Sequence, residues 1–309
     1  MERTFTYLIT DIEKNIPIDR YLRSMGFSAS NIIALKKIPE SIRINGRWEY
    51  VNYRLQPGDT LTIHLVENES SEKILPVPLP LSIRYEDEDI LVVSKPADMP
   101  IHPSQNNYEN TLANAVMYHY HSQQIPFVFR CVNRLDRDTT GLTIIAKHGV
   151  SAGILSAAVA KRELSREYLA LVPPFPASAP VGAPTASAPL TDCGIINKPI
   201  GRKPGSTIER FIDVENGETA ITHYKKLLEK ESATLLSLHL ETGRTHQIRV
   251  HMASLGYPLL GDSLYGGDIS QIPRQALHSH RLCFRHPITG EAMEFVEPLP
   301  EDMRRVINY

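Results

Sequence analysis

The sequence predicts an α+β protein whose helices and strands are divided between a small N-terminal part and a larger C-terminal part. Apolar residues alternate with polar ones in several short segments, such as 219–224, which predicts strands. Apolar residues three or four positions apart, as in 111–120, predict helices. Residues 67–80 are polar and then rich in proline, without periodicity, which indicates a linker. We therefore expect domains at 1–66 and 81–309, joined by 67–80.

The composition is that of an ordinary globular protein of 309 residues, with 42% hydrophobic and 22% charged residues. No apolar run is long enough to span a bilayer, and the first residues lack the apolar segment of a signal peptide, so we expect a cytoplasmic protein. Three cysteines that lie far apart indicate neither a disulfide framework nor a zinc site. The formal net charge of −2 gives no general sign of nucleic-acid binding, so RNA binding would require basic residues concentrated on one face.

The N-terminal part reads as two short helices followed by a hairpin. Ile18, Leu22 and Met25 recur at helical spacing, and a second apolar group follows a helix start at Ser28. The hairpin consists of strands at 42–47 and 61–65, and the first ends in an Asn-Gly turn. Six basic residues could form one phosphate-binding surface or could be solvated separately: Arg20, Arg23, Lys36, Lys37, Arg43 and Arg47.

The C-terminal part begins with a strand, an acidic turn and a second strand that Pro96 ends. Further patterns predict a helix at 111–120, a strand at 142–147, a helix at 152–160 and strands at 166–172, 219–224 and 235–240. Alternation in 166–172 places Tyr168, Ala170 and Val172 on one face. The intervening stretch 173–190 is rich in proline and alanine, and we interpret it as a flexible surface insertion.

One polar loop, Asn133-Arg134-Leu135-Asp136-Arg137-Asp138-Thr139-Thr140-Gly141, runs directly into a buried strand. Cations on both sides of Asp136 would keep its carboxylate ionised, which suits a nucleophile or an electrostatic stabiliser. A simpler interpretation is that the loop only forms turn hydrogen bonds. A third is the D-x-D-x-T loop of haloacid-dehalogenase-type phosphatases, which use Mg²⁺. That loop follows a hydrophobic strand and precedes a helix, whereas this one leads into a strand.

A second polar block, 241–251, follows a strand and begins a helix. Thr245 is the expected N-cap, and Gly256 is expected to end the helix. Arg244, His246 and Arg249 thus collect near a helix N-terminus, which favours anions. Structural ion pairing is the alternative for the two arginines. His246 and His251 are five positions apart, which is not the spacing of metal ligands on a helix.

These blocks together resemble the RluA family of RNA pseudouridine synthases. The loop at 133–141 is similar to the family motif H-R-L-D-x-x-T-S-G, with Asn133 in place of His and Thr140 in place of Ser. Lys-Pro-Ala at 95–97, Arg166-x-Tyr168, the block at 241–251 and Gly-Asp at 261–262 follow in the family's order. Asp98 stands where the family has glycine. The N-terminal part resembles the S4 RNA-binding domain.

The resemblance implies a mixed, largely antiparallel sheet with flanking helices and a cleft, preceded by an S4-like αα-hairpin module. By the same resemblance, Asp136 is the catalytic residue, Arg249 pairs with it, and Tyr168 lies under the flipped base. Asp136 would attack C1′ or remove a C2′ proton, and the sequence leaves both routes open. Residues expected to bind RNA are Arg134, Arg244, His246, Arg20, Arg23 and Arg43.

The reaction that the resemblance implies is the isomerisation of uridine to pseudouridine, without a cofactor or metal. The expected partner is RNA, with 23S ribosomal RNA favoured and transfer RNA an alternative, and we expect a monomer that does not bind membranes. A protein that has lost catalysis and acts as an RNA-binding or ribosome-assembly factor is a second hypothesis, because Asn133, Asp98 and the insertion depart from the family pattern.

Overall fold

The computed structural model describes residues 1–175, 186 and 188–308. The N-terminal region, residues 1–66, contains β1 Glu2–Leu8, α1 Ile18–Ser24, α2 Ala29–Lys37, β2 Ile42–Ile44, β3 Arg47–Trp48 and β4 Thr60–Val66. The C-terminal region, residues 82–308, begins with β5 Ser82–Glu86, β6 Ile90–Lys95, α3 Leu112–His121, β7 Thr140–Ala146, α4 Gly149–Ala160 and β8 Ser165–Val172. It continues with β9 Cys193–Asn197, β10 Ile200–Arg202, β11 Arg210–Ile212, β12 Ile221–Glu229, β13 Thr234–Leu240, α5 Gln247–Ala253, β14 Leu277–Arg285, β15 Ala292–Val296 and α6 Glu301–Val306. The predicted insertion at 173–190 falls mostly outside the described residues.

The N-terminal region has the predicted order of two helices and a hairpin, and all its strand pairs are antiparallel, in the order β1-β4-β2-β3. Leu22 of α1, Leu35 of α2 and Ile63 of β4 are fully buried in its core. The sequence analysis did not predict β1, in which Phe5 is the only buried residue and Phe5 and Tyr7 give only a short apolar alternation. Met25 was expected on the apolar face of α1 but is exposed, because the helix ends at Ser24.

The sheet of the C-terminal region has nine strands in the order β5-β6-β7-β14-β8-β13-β12-β9, with β15 attached to β14. Among the described residues, every pairing in this sheet is antiparallel except β7 with β14. A mixed, largely antiparallel sheet is therefore confirmed. The parallel pair aligns Gly141 with Ser279, and this contact places the start of β7 at the middle of the sheet.

Both faces of the large sheet are covered. Tyr168 on β8 faces a core that includes buried residues of α3 and α5, such as Val116 and Met252. Leu171, on the opposite face of β8, packs in a separate core against Met303 of α6. The alternation predicted for residues 166–172 is confirmed, and α6 lies on the other side of the sheet from Tyr168.

The two regions contact each other closely. Arg3 of β1 donates two hydrogen bonds to the carboxylate of Asp89, at 2.9 and 3.1 Å, and the His148 ring lies 2.9 Å from the same group. Residues 67–81 form no helix or strand, and Leu79 packs against the core of the C-terminal region. Across the part of the chain that the structure describes, none of the helices has the length and apolar character needed to cross a membrane.

Candidate active site

The loop at 133–141 is held against β7 by Asn133, whose side chain is buried. Its amide oxygen accepts a hydrogen bond from the Ile144 N–H at 2.8 Å, and its amide nitrogen donates to the Leu142 carbonyl at 3.1 Å. The hydroxyl of Thr143 donates to the Asn133 carbonyl at 2.6 Å. Asparagine at this position therefore makes a complete set of structural hydrogen bonds, and its presence in place of histidine does not disrupt the loop.

Asp98 is the other departure from the family pattern near this loop. Its φ of 55° lies in the left-handed region, which glycine adopts most readily and aspartate tolerates better than most residues. Arg137 forms an ion pair with its carboxylate, and the Asp98 N–H donates to Asp138 at 3.2 Å. The turn thus keeps its geometry with aspartate in place of glycine.

Asp136 lies at the wall of an open cavity of about 520 Å³. Its side chain is 24% exposed, and its Oδ2 accepts a hydrogen bond from Nη1 of Arg249 at 3.1 Å. The Nε2 of His246 lies 3.9 Å from the same oxygen. The carboxylate is therefore accessible from the cavity and lies beside a permanent positive charge.

Arg249 connects Asp136 to a second carboxylate. Its Nε and Nη2 donate to Asp262 at 2.7 and 2.8 Å, and its guanidinium lies 5.0 Å from the centre of the Tyr265 ring. Burial alone would lower the pKa of Arg249, but the hydrogen bonds and charges of Asp262 and Asp136 outweigh burial and raise this pKa above its ordinary value. Arg249 is consequently a fixed cation in a buried position.

His246 lies directly before α5 and has an unusual backbone conformation. The predicted N-cap at Thr245 is wrong, because α5 begins at Gln247 and His246 is the N-cap residue, with a φ of 58° and no side-chain cap. Its Nδ1 lies 2.8 Å from the Tyr265 hydroxyl. Burial lowers the pKa of His246, and Arg249 lowers it further, while the charge of Asp136 opposes the shift. The left-handed backbone aims this ring at the cavity instead of at solvent.

Tyr168 projects from β8 into the base of the same cavity and is 5% exposed. Burial raises the pKa of its hydroxyl, and the negative charge of Asp136 adds to the increase. The phenol is therefore neutral at physiological pH. Its aromatic ring forms an apolar surface opposite the polar loop, which suits contact with a planar group.

The structure brings together six of the nine predicted site residues. One cavity is lined by Asp136, Tyr168, Arg249, Arg134, Arg244 and His246. The other three, Arg20, Arg23 and Arg43, are exposed on α1 and β2 of the N-terminal region and do not line it.

Three residues around the cavity were missed as site residues. Asp262 and Tyr265 belong to the Gly-Asp block, but spacing alone does not show that they contact Arg249. Arg166 was treated only as a substitution in the Lys-x-Tyr pattern, yet it lines the cavity, is only 8% exposed, and its Nε has no hydrogen-bond partner among the described residues. The sequence signal that could have identified Arg166 is a charged residue at a strand position whose side chain faces the core.

Among the described residues, one cluster has the geometry to hold a metal ion, and it lies outside this cavity. Asp87, Asp89 and His286 bring their ligand atoms within 4.8 Å of one another. Asp89, however, already accepts hydrogen bonds from Arg3, and backbone N–H groups donate to Asp87. The cluster is explained as an ion-pair network between the two regions.

The site places an accessible carboxylate in an open cleft whose edges carry arginines, an arrangement that fits an enzyme with a nucleic-acid substrate. Residues 89–254, more than half of the chain, match the family model described as RNA pseudouridylate synthase. The chain belongs to this family, and to its RluA type, as the motifs predicted. Its members are isomerases that convert uridine to pseudouridine in RNA, so the substrate of this protein is RNA.

Individual relatives agree with this assignment. The chain is 39% identical to the RNA pseudouridine synthase YjbO of Bacillus subtilis over 94% of its own length and 98% of that protein. It is 41% identical to the ribosomal large subunit pseudouridine synthase D of Vibrio cholerae, over 81% of this chain and 76% of the relative. A solved structure of human RNA pseudouridylate synthase domain containing 1 is 27% identical, with a TM-score of 0.55, over 71% of this chain and 83% of that one.

Proposed function

We propose that this enzyme isomerises a specific uridine of 23S ribosomal RNA in the cytoplasm, with Asp136 as its catalytic residue. The observation that carries the proposal is the hydrogen bond from Arg249 Nη1 to Asp136 Oδ2 at 3.1 Å, at the wall of a cavity that also contains the Tyr168 ring. A carboxylate at this position can serve as the nucleophile or base that the chemistry needs, and the adjacent guanidinium holds it in place.

The reaction requires that the target nucleotide be turned out of its stack into the cavity. The N1–C1′ bond breaks, the uracil turns over, and C5 bonds to C1′. The proton that leaves C5 is balanced by the one that N1 gains, so no redox partner is consumed. Asp136 either attacks C1′ or removes a proton from C2′, and its accessible carboxylate suits both routes.

The other predicted residues have positions that support their proposed roles. Arg134 is exposed where the cavity opens, so it can fill the space that the flipped base leaves. Tyr168 is placed to lie against the uracil ring and help in the loss of the C5 proton. Arg244 and His246 line the same cavity, where they can contact the RNA backbone or the ribose.

The ribosomal substrate is supported by the 41% identical relative, whose name states that it modifies the large ribosomal subunit. The N-terminal region is proposed to be an S4-like RNA-binding domain with boundaries 1–66. Arg20 and Arg23 on α1 are exposed there, as is Arg43 on β2, which pairs with Glu40 at 2.6 Å. A monomeric state stays a prediction that analytical ultracentrifugation can check.

The proposal is tested by mapping pseudouridine in total RNA from cells without the gene, complemented with wild type, Asp136→Asn or Asp138→Asn. Asp138 lies on the same loop and provides a matched carboxylate control. We expect one or a few sites in 23S RNA to be lost and to return with wild type and Asp138→Asn only, because loss of a general base or nucleophile lowers the rate by about a hundredfold or more. A map that Asp136→Asn restores fully would refute catalysis by Asp136, and lost sites confined to transfer RNA would refute the ribosomal substrate.

A further inference from the structure

A second cavity of about 360 Å³ adjoins the one that contains Asp136. The two cavities share a wall formed by Arg134 and residues 243–245. The far wall is the small two-stranded sheet of β10 and β11, which no predicted function has used. Anything that occupies both cavities would therefore pass from the catalytic carboxylate across Arg134 to this hairpin.

The hairpin places two arginines directly opposite each other. Arg202 on β10 pairs in register with Arg210 on β11, so their side chains leave the same face of the sheet. Like charges in such a cross-strand pair destabilise a sheet, particularly one with only two short strands. The neighbouring Lys203, by contrast, is neutralised by Glu209 at 2.9 Å. Nη1 of Arg210 donates to the Ile208 and Glu209 carbonyls at 3.0 and 3.1 Å, which leaves its charge unneutralised, so a bound anion would offset the repulsion between the two arginines.

The remaining charges of the cavity do not neutralise this pair. Four arginines line it, namely Arg134, Arg202, Arg210 and Arg244, against two acidic residues, Asp213 and Glu218. Glu218 forms an ion pair with Arg244, and Asp213 accepts a hydrogen bond from the Asn216 N–H at 3.0 Å. Within the described residues, no carboxylate lies within 4.0 Å of the guanidinium groups of Arg134, Arg202 or Arg210. The cavity therefore carries an excess of positive charge.

The hairpin is also connected to the catalytic residues by hydrogen bonds. The backbone N–H of Arg210 donates to the Tyr265 hydroxyl at 3.0 Å. That hydroxyl lies 2.8 Å from Nδ1 of His246, and the Tyr265 ring stacks under the Arg249 guanidinium. An anion held by the hairpin would consequently have a fixed position relative to Asp136.

We propose that this second cavity binds a backbone phosphodiester of the RNA strand next to the target uridine, through Arg202 and Arg210. Guanidinium groups pair with phosphate oxygens through two parallel N–H bonds, and such contacts fix the register of a nucleic acid on its protein. The inference rests on the proposed function and adds to it a site that sets which nucleotide enters the catalytic cavity.

The test measures binding of an unmodified 23S ribosomal RNA transcript by Arg202→Gln, Arg210→Gln and Arg305→Gln proteins at several salt concentrations. Arg305 is an exposed control on α6, on the opposite face of the sheet. We expect each hairpin variant to bind about tenfold more weakly than wild type and its logarithmic salt dependence to be shallower by about one. The loss is expected mainly in KM, with a smaller effect on kcat, and Arg305→Gln should match wild type.

Thermal unfolding of the RNA-free proteins gives an independent readout. If the arginines serve an anion, Arg202→Gln leaves the Tm unchanged or raises it at low salt, because it removes a like-charge pair. A lower Tm with unchanged RNA binding would assign Arg202 a structural role and overturn the proposal. A further outcome would also overturn the proposal: inorganic phosphate raises the Tm of wild type but not of Arg202→Gln, and it does not compete with the transcript. The cavity would then be a site for a free anion.

A comparison of Asp136→Asn with the hairpin variants distinguishes a failure of the phosphodiester site from a failure of the proposed function. Asp136→Asn is expected to abolish isomerisation while it keeps the affinity and salt dependence of wild type. If Asp136→Asn is inactive but both hairpin variants bind the transcript as wild type does, the phosphodiester site is refuted and the proposed function stands. If Asp136→Asn isomerises uridine normally, the proposed function fails whatever the hairpin variants do.

Discussion

Lys95 lies beneath the catalytic loop and offers the sharpest test of the electrostatics of this region. The residue ends β6 and is 1% exposed. Its ammonium group donates to three backbone carbonyls, those of Pro96, Met99 and Arg137, at 2.8, 2.9 and 2.8 Å. Because Arg137 directly follows Asp136, the proposed catalytic residue, the proton state of this lysine bears on the position of the loop.

Burial lowers the pKa of Lys95 from its ordinary value of 10.5 to about 7, although the charges of Asp138 and Asp136 oppose the shift. A pKa that is lower in the folded than in the unfolded chain adds stability that is full above the unfolded value and is lost as the pH falls through the folded value. One pH unit corresponds to about 1.4 kcal/mol, so the lysine should add about 3 kcal/mol to the free energy of unfolding between about pH 6 and about pH 9.

The assay is urea unfolding of wild type and Lys95→Met across that pH range. Methionine leaves three carbonyls without a donor, but this penalty does not vary with pH, so the pH dependence of the difference isolates the lysine. We expect the difference in free energy of unfolding to change by about 3 kcal/mol in favour of wild type as the pH rises. The exposed Lys161→Met serves as the control. Parallel pH profiles for wild type and Lys95→Met would refute the reasoning and show that the carbonyls keep the ammonium charged.

Three further substitutions test buried contacts. Asp262→Asn should lower the free energy of unfolding by about 3–5 kcal/mol in urea and also slow isomerisation, because buried Arg249 loses the nearer of its two charged partners; normal stability would contradict that pairing. Arg166→Met should slow isomerisation in a single-turnover assay without lowering stability, since its buried Nε has no partner; full activity would exclude Arg166 from the site. Gly141→Ala should cost about 3 kcal/mol or more in urea, because φ is 103° and a Cβ would lie 2.2 Å from the Ser279 carbonyl oxygen; unchanged unfolding would contradict the close approach.

Sequence patterns predicted the helices and strands whose buried face can be recognised from the residues of the element itself. The helix predicted at 111–120 is confirmed as α3, which follows Thr111 as its N-cap and buries the predicted apolar face, including Val116 and Tyr120. Pairings between distant segments have no local signal. The hydrogen bond between Thr140 and His278 joins residues 138 positions apart, and the parallel contact beside it could not be read from either strand alone. The sequence feature that marks this parallel contact is Gly141, a glycine of the family motif. The need for glycine at this position is seen only in the folded chain.

In the candidate site, too, some features were predicted from the sequence and others are seen only in the folded chain. Family resemblance predicted that Asp136 and Arg249 belong together, and their side chains are 3.1 Å apart. It predicted neither the contact of a second carboxylate with Arg249 nor the positive φ of His246. Residue preference favoured Thr245 as the N-cap, but hydrogen bonds of Gln247 to the Arg244 N–H and the Thr242 hydroxyl tie the turn differently and leave His246 at a positive φ. Side-chain hydrogen bonds within residues 242–247 therefore override the preference for threonine at the N-cap.

The arrangement around Arg249 explains how a buried cation can assist Asp136 without neutralising it. An unpaired guanidinium would be costly in this position, and two hydrogen bonds to Asp262 offset most of that desolvation. Nη1 is the group that binds Asp136, so this carboxylate accepts one hydrogen bond from Arg249 and is left 24% exposed. Its Oδ1 has no hydrogen-bond partner among the described residues. If Arg249 had Asp136 as its only partner, a bidentate pair would occupy both oxygens and hinder contact with the ribose. Asp262 thus stabilises the cation, and Asp136 keeps the accessible oxygen that either route of the proposed mechanism requires.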